Sequence, residues 1–309
     1  MALITIDISA DALRSGAQPD AASARRYCER LEAGDILYIP GMPFEIPKPD
    51  LEFLLGQRQS GGRLHKNIAY RANEDRITGF EEETEGDGAR LLQVMRDYSR
   101  NATKTLSTLL SPYQQRWKLD YASYRPLEEE NRDLSLHKRN DLLHTDAFPS
   151  RPTNGDRILR FFTNINPSEP RKWMTTTPFD ALAAQFAGKD GGCPLPQKSA
   201  FASGVLNVKR ALASAGVPVT PRSPYDDFML RFHDFLKENG EFQKTCVKEY
   251  SDFPPNTCWM VYTDMVGHAV LKGRYALEQT YIVSKDAMVT PEKAPVRILE
   301  KMVGAGLTA

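Results

Sequence analysis

The stretch LLHTDAFPSRPTNGDRILRFFTNI (142–165) decides how the chain is read. Two short runs rich in Leu, Ile and Phe, LLHTDAF and RILRFFTNI, flank PSRPTNGD, a link dense in turn-forming residues. Apolar runs bounded this way predict strands joined by a turn. Just upstream, KLDYASY (118–124) alternates as a half-buried strand does. Far downstream come four more β-like segments: QKTCVKEY (243–250), TCWMVYT (257–263), GHAVLKG (267–273) and RYALEQTYIV (274–283).

Helical signals fall before and between these clusters. Asp20 is placed to cap AASARRYCERLE (21–32), with Gly34 near its end, and DILYIP (35–40) then reads as a strand. Leu91, Met95 and Tyr98 recur at i, i+4 and i+7, which predicts a helix from Asp87 to about Leu110. In TTPFDALAAQFAG (176–188), Thr177 is expected to cap and Pro178 to take the first helical position. Ser223-Pro224 repeats that start for YDDFMLRFHDFLKEN (225–239), which Gly240 is expected to close. The tail PEKAPVRILEKMVG (291–304) reads as a terminal helix. Strands gathered at 118–165 and 243–283 are not the βαβα alternation of a parallel sheet. They predict a mainly β fold with added helices: an antiparallel double-stranded β-helix, the jelly-roll or cupin-like core. The expected organisation is one domain over 1–309. A mostly helical portion, 1–110, packs on a core at 110–290 that carries a helical insert at about 178–240.

Composition narrows the function. Forty Lys+Arg against 40 Asp+Glu give no net charge, which argues against a nucleic-acid binder. No apolar run approaches the ~20 residues of a membrane span. The start MALITIDISADALRSG is too polar and acidic for a signal peptide, so a cytoplasmic protein is expected. Cys28, Cys193, Cys246 and Cys258 fit no C-x-x-C pattern and are expected to be inert thiols. Of the five histidines, His233 lies among Phe232, Phe235 and Leu236 and reads as core, while His65 and His137 sit in polar segments and read as surface. Trp173 and Trp259 read as core anchors.

The remaining two histidines carry the chemistry. His144-Thr145-Asp146 is an H-x-D, and residues i and i+2 of an extended strand share a face. The motif alone is weak, since about 0.6 such matches are expected by chance in a chain of this composition. His268, in a strand–turn–strand context, completes a possible set: two imidazoles and one carboxylate on one face of iron, with three positions open for a 2-oxo acid and dioxygen. Arg274, six residues on, offers a rigid fork for a carboxylate, with Arg160 as the alternative.

A resemblance adds to this reading. RNDLLHTDAFPSRPTNGDRILRFFTNINPSEPRKW (139–173) and FPPNTCWMVYTDMVGHAVLKGRYALEQTYIV (253–283) resemble the Kdo hydroxylase family. The strand from Arg274 to Tyr281 also resembles the one that carries the 2-oxoglutarate arginine in prolyl-hydroxylase-type oxygenases, with a shorter gap from the histidine. The family resemblance implies an Fe(II)- and 2-oxoglutarate-dependent dioxygenase that uses O2. Its expected substrate is 3-deoxy-D-manno-octulosonic acid (Kdo) on lipid A, hydroxylated at carbon 3 to give Ko. It implies His144, Asp146 and His268 as metal ligands and Arg274 or Arg160 as the 2-oxoglutarate anchor. The sugar carboxylate and lipid A phosphates would suit a basic rim, for which Arg151, Arg157 and Lys172 are the candidates. Such an enzyme would meet its lipid as a peripheral protein at the cytoplasmic face of the inner membrane. Two rivals remain open at this point: a 2-oxoglutarate oxygenase with another small-molecule or protein substrate, and a non-catalytic cupin-like sugar-binding module.

Overall fold

The computed structural model describes residues 1–59, 67–130, 132–196, 208–209 and 211–308. Strands in chain order are β1 (Leu3–Thr5), β2 (Ile36–Ile39), β3 (Ile68–Arg71), β4 (Arg76–Thr78), β5 (Trp117–Arg125), β6 (Arg157–Asn164), β7 (Arg171–Pro178), β8 (Glu249–Phe253), β9 (Thr257–Tyr262), β10 (Val266–Lys272) and β11 (Ala276–Val283). They form an eight-stranded sheet ordered β1-β2-β9-β6-β11-β5-β3-β4 and a three-stranded sheet ordered β10-β7-β8. The LLHTDAF run adds one further pairing to the small sheet, an antiparallel bridge between His144 and His268. From β5 onward the chain visits large, small, large, small, small, large, small and large sheet in turn. Core neighbours are therefore distant in sequence.

Period-two alternation sorts each strand into two faces. In β6, Leu159 and Phe161 join the apolar core on one side, while Arg160 and Phe162 face between the sheets. That inter-sheet layer is aromatic. Phe162 stacks on Trp259 with centroids 5.2 Å apart, Trp259 stacks on Phe253 at 3.9 Å, and Trp173 meets Phe162 edge-on at 4.9 Å. The expected anchors Trp173 and Trp259 are thus buried where the sheets meet. On the opposite face, helix Asp87–Leu109 buries Leu91, Met95, Tyr98 and Leu106. Its Tyr98 and Thr103 reach Phe161 and Tyr281 of the large sheet.

Several sequence expectations are corrected. Within the 1–110 portion, β1–β2 and β3–β4 accompany the helices and extend the large sheet at its two edges. Thr177 does not cap the helix Phe179–Phe186. β7 runs through Pro178, which is itself the N-cap residue, and Phe179 N still bonds Met265 O at 2.7 Å. Cross-strand pairing of β-branched threonines prevails there over the capping preference. Gly240 does not close helix Pro224–Glu238 but begins a short helix, Gly240–Thr245, so QKTCVKEY is mostly not strand. The capping box of Ser223 and Asp226 is formed, as is Asp20's bond to Ser23 N at 2.7 Å. Helix Pro295–Val303 takes the tail. Cys28, Cys193 and Cys258 are buried free thiols, and Cys246 is half-buried. His65 lies outside the described residues, and no described helix is long and apolar enough to cross a membrane.

Candidate metal centre

A cavity of about 910 Å³ opens where the two sheets, the 144–151 segment and helix Pro224–Glu238 meet. Its floor holds the sequence-predicted trio. His144 and His268 are locked together by reciprocal backbone bonds, His144 N to His268 O at 3.1 Å and His268 N to His144 O at 2.9 Å. Two residues on, Asp146 N bonds Thr263 O at 2.8 Å, which keeps this short segment extended and both side chains on one face. One donor atom from each of His144, Asp146 and His268 lies within 4.8 Å of the others, and all three residues are buried.

The hydrogen bonding prepares these atoms for a cation. His144 Nδ1 meets the Leu142 carbonyl at 2.7 Å and His268 Nδ1 meets the Val266 carbonyl at 2.9 Å. A carbonyl only accepts, so each Nδ1 carries the proton and each Nε2 presents a lone pair. Burial, the dominant influence, lowers both imidazoles below their ordinary value and keeps them neutral. Burial pushes Asp146 upward, but opposing influences led by the Arg160 guanidinium outweigh it and hold the carboxyl ionised, well below its usual range. His144 Nε2 stands 3.5 Å from Asp146 Oδ1, too long for a good hydrogen bond. Two neutral imidazoles and one carboxylate, with room beside them, fit a divalent ion that prefers nitrogen and oxygen donors. Trp173 is more than a core anchor, because it stacks on His268 at 5.5 Å and fixes the ring plane.

Around the trio runs a chain of buried charges. Arg160 reaches Asp146 Oδ2 at 2.7 Å and Glu278 Oε1 at 2.8 Å. Arg125 pairs with the other oxygen of Glu278, and Arg171 and Arg125 share Glu129. The Nε atoms of Arg125 and Arg160 are buried without a hydrogen-bond partner. Both guanidiniums line the cavity.

The other nominated residues separate sharply. Arg151 lines the cavity, with its guanidinium 4.0 Å over Tyr121 and 4.5 Å over Phe148 and its Nε 3.1 Å from Asp120. Arg274 does not reach the site. It is exposed on the turn before β11, between Gly273 (φ +124°) and Tyr275 (φ +60°), and its guanidinium lies over the Tyr275 ring. The residues of β11 that do line the cavity are Glu278, beside Arg160, and Thr280. Arg157 is not on a rim. Its odd position in β6 turns it to the face opposite Arg160, where it is fully buried against Asp264 at 2.8 Å and Tyr262. Lys172 is exposed on the outer face of β7, because its neighbour Trp173 takes the inward position.

Among the cavity residues, Arg125, Glu278 and Lys237 escaped the sequence reading, and His233 was read as core. The i, i+4 spacing of His233 and Lys237 was a usable signal, since it gives them one helix face. The His233 ring meets His144 edge-on at 5.0 Å, so the expected core histidine is a wall of the site. His137, read as surface, stands half-exposed at the cavity and bonds Glu238.

A family model for 3-deoxy-D-manno-oct-2-ulosonic acid (Kdo) hydroxylase matches residues 14–306. The chain belongs to the Kdo hydroxylase family. Among solved structures, it is similar to the Kdo hydroxylase KdoO, a non-haem Fe(II) α-ketoglutarate-dependent dioxygenase, in complex with α-ketoglutarate and Fe(III). The identity is 32%, with 100% of this chain and 98% of that chain covered and a TM-score of 0.82. The cobalt(II) complex of KdoO gives 32% identity, coverage of 99% and 97%, and a TM-score of 0.84. The succinate and Fe(III) complex gives 32% identity, coverage of 99% and 97%, and a TM-score of 0.82. No curated protein matches the sequence significantly. The family resemblance read from 139–173 and 253–283 is thus the family of the whole chain, and the expected enzyme class is that of these relatives.

Proposed function

We propose that this Kdo hydroxylase acts on Kdo attached to lipid A, adding a hydroxyl at carbon 3 to give Ko, with Fe(II), 2-oxoglutarate and O2. The observation that carries the proposal is the convergence of two Nε2 lone pairs and one ionised carboxylate on a single point of a large, charged cavity. The β5–β11 order of visits to the two sheets, with four antiparallel strands on one side and three strands plus the His144 bridge on the other, supports reading the core as a double-stranded β-helix. Such a core brings sequence-distant ligands to one rim.

His144, Asp146 and His268 would hold the iron, leaving positions for the keto acid and oxygen. When bound, iron and 2-oxoglutarate supply the oxidising chemistry and the protein supplies orientation. Arg160 fixes Asp146 Oδ2 and so aims its other oxygen at the ligand point. Arg160 and Arg125, the arginines that line the cavity beside Asp146 and Glu278, are the candidates to receive the carboxylate of 2-oxoglutarate, in place of Arg274. Arg151, stacked between Tyr121 and Phe148, is the rim cation suited to the anionic substrate. The chain would approach its lipid from the cytoplasmic face as a peripheral protein.

The test is mass spectrometry of Kdo–lipid A after incubation with the enzyme, Fe(II), 2-oxoglutarate and air. A gain of one oxygen on the sugar, with one succinate released per turnover, is expected. Succinate release without sugar oxidation would redirect the substrate assignment.

A further inference from the structure

Lys237 is a buried cation with no ion pair to any carboxylate among the described residues. It is 3% exposed, on the helix wall of the cavity. Its Nζ donates to the carbonyls of His137 at 2.9 Å and Arg139 at 2.7 Å. An ammonium has three hydrogens, so one is left over. Asp146, Asp234 and Asp141 act on it only through space, and none of them forms an ion pair with it. Two neutral carbonyls solvate the charge but do not balance it, and an unbalanced buried charge is costly. Burial accordingly presses the ammonium down to about 8. Every other buried cation of this cavity has its carboxylate: Arg160 has Asp146 and Glu278, and Arg125 has Glu278.

We propose that Lys237 completes its charge with a ligand, by receiving the carboxylate of the sugar-acid substrate beside the metal centre. This deepens the reading of the site as a Kdo hydroxylase and rests on it. Position supports the sugar over the keto acid. Arg125 and Arg160 come from strands of the large sheet, whereas Lys237 comes from helix Pro224–Glu238, which also lines the cavity. It lies one helical turn after His233, whose ring touches His144. A sugar acid gripped there has its ring next to the ligand set, with the carboxylate held away from the Arg160 side. Lys237 thereby selects an acidic sugar over a neutral one.

The experiment crosses two variants with two substrates. KM is measured for Kdo–lipid A and for its sugar carboxyl methyl ester, with the full-length enzyme, its K237M variant and its K237R variant. 2-Oxoglutarate KM is measured in parallel, and calorimetry follows free Kdo binding. The wild type should favour the acid over the ester by about a hundredfold, the scale of one buried charge pair. K237M should lose about a hundredfold for the acid, with the ester changed less than roughly threefold. K237R should keep most of the acid preference, and this guards against a variant that merely misfolds. Equal losses for acid and ester in K237M would show that Lys237 only ties down the 137–139 segment and would overturn the proposal. A raised 2-oxoglutarate KM with unchanged acid preference would overturn it in favour of the keto acid. A wild type that oxidises and binds neither sugar would instead refute the hydroxylase reading itself.

Discussion

Glu278→Gln tests whether the buried charge chain stabilises the fold in the way its geometry implies. Glu278 is 2% exposed and accepts from Arg160 at 2.8 Å, Thr280 Oγ1 at 2.7 Å, Ser123 Oγ at 3.1 Å and from Arg125. Burial pushes its carboxyl up, but Arg160 and Arg125 outweigh that and bring it to about 2, against an ordinary 4.5. A carboxylate with a depressed value stabilises the fold above pH 4.5 and loses that stabilisation as pH falls toward 2. The shift corresponds to about 3 kcal/mol. Breaking one partner of a buried pair gives a similar figure, about 3–5 kcal/mol. Glutamine keeps the shape and two acceptor lone pairs but no charge. Urea unfolding of the metal-free protein, at half-unit steps from pH 7 to pH 3, reads the difference between wild type and variant. It should hold near 3 kcal/mol down to about pH 5 and then shrink by about 1.4 kcal/mol per pH unit. A difference that stays flat down to pH 3, or lies below about 1 kcal/mol at pH 7, would show that the pairing does not offset its desolvation.

His144→Ala or His268→Ala should abolish both turnover and stoichiometric Co(II) binding, read from visible absorption, while unfolding stays cooperative. Arg274→Ala should leave the 2-oxoglutarate KM within about twofold, whereas Arg160→Ala should raise it about a hundredfold or more. A large effect in Arg274→Ala would contradict its exposed position. Asp264→Ala should cost about 3–5 kcal/mol by stranding Arg157, measured by urea unfolding. Gly267→Ala should destabilise by about 1–3 kcal/mol and weaken metal binding. The new methyl would stand 2.6 Å from Thr176 Cγ2, next to His268. Wild-type stability and affinity in that variant would mean β10 yields more easily than its packing indicates.

The metal trio was legible in the sequence because its logic is local. H-x-D on an extended segment places two side chains on one face whatever surrounds it, and His268 came with a strand of its own. The helices at 21–32 and 225–238 were legible for the same reason, since caps and i, i+4 spacing act within a few residues. Parity within a strand is local too, but which parity faces the cavity is set by pairing with strands far along the chain. That is why Arg157 and Lys172 were nominated and prove to point elsewhere, while Arg160 points in. β11 begins only at Ala276, after the turn at Gly273 and Tyr275, so Arg274 lies outside the strand and is exposed, while Glu278 lies within it and lines the cavity. Arg125 carried no readable signal and Lys237 only its i, i+4 spacing from His233, because an arginine ending a strand and a lysine on an amphipathic helix are ordinarily solvated. Only the packing of the helix and the two sheets around one cavity removes their water and leaves their charges to be balanced from within.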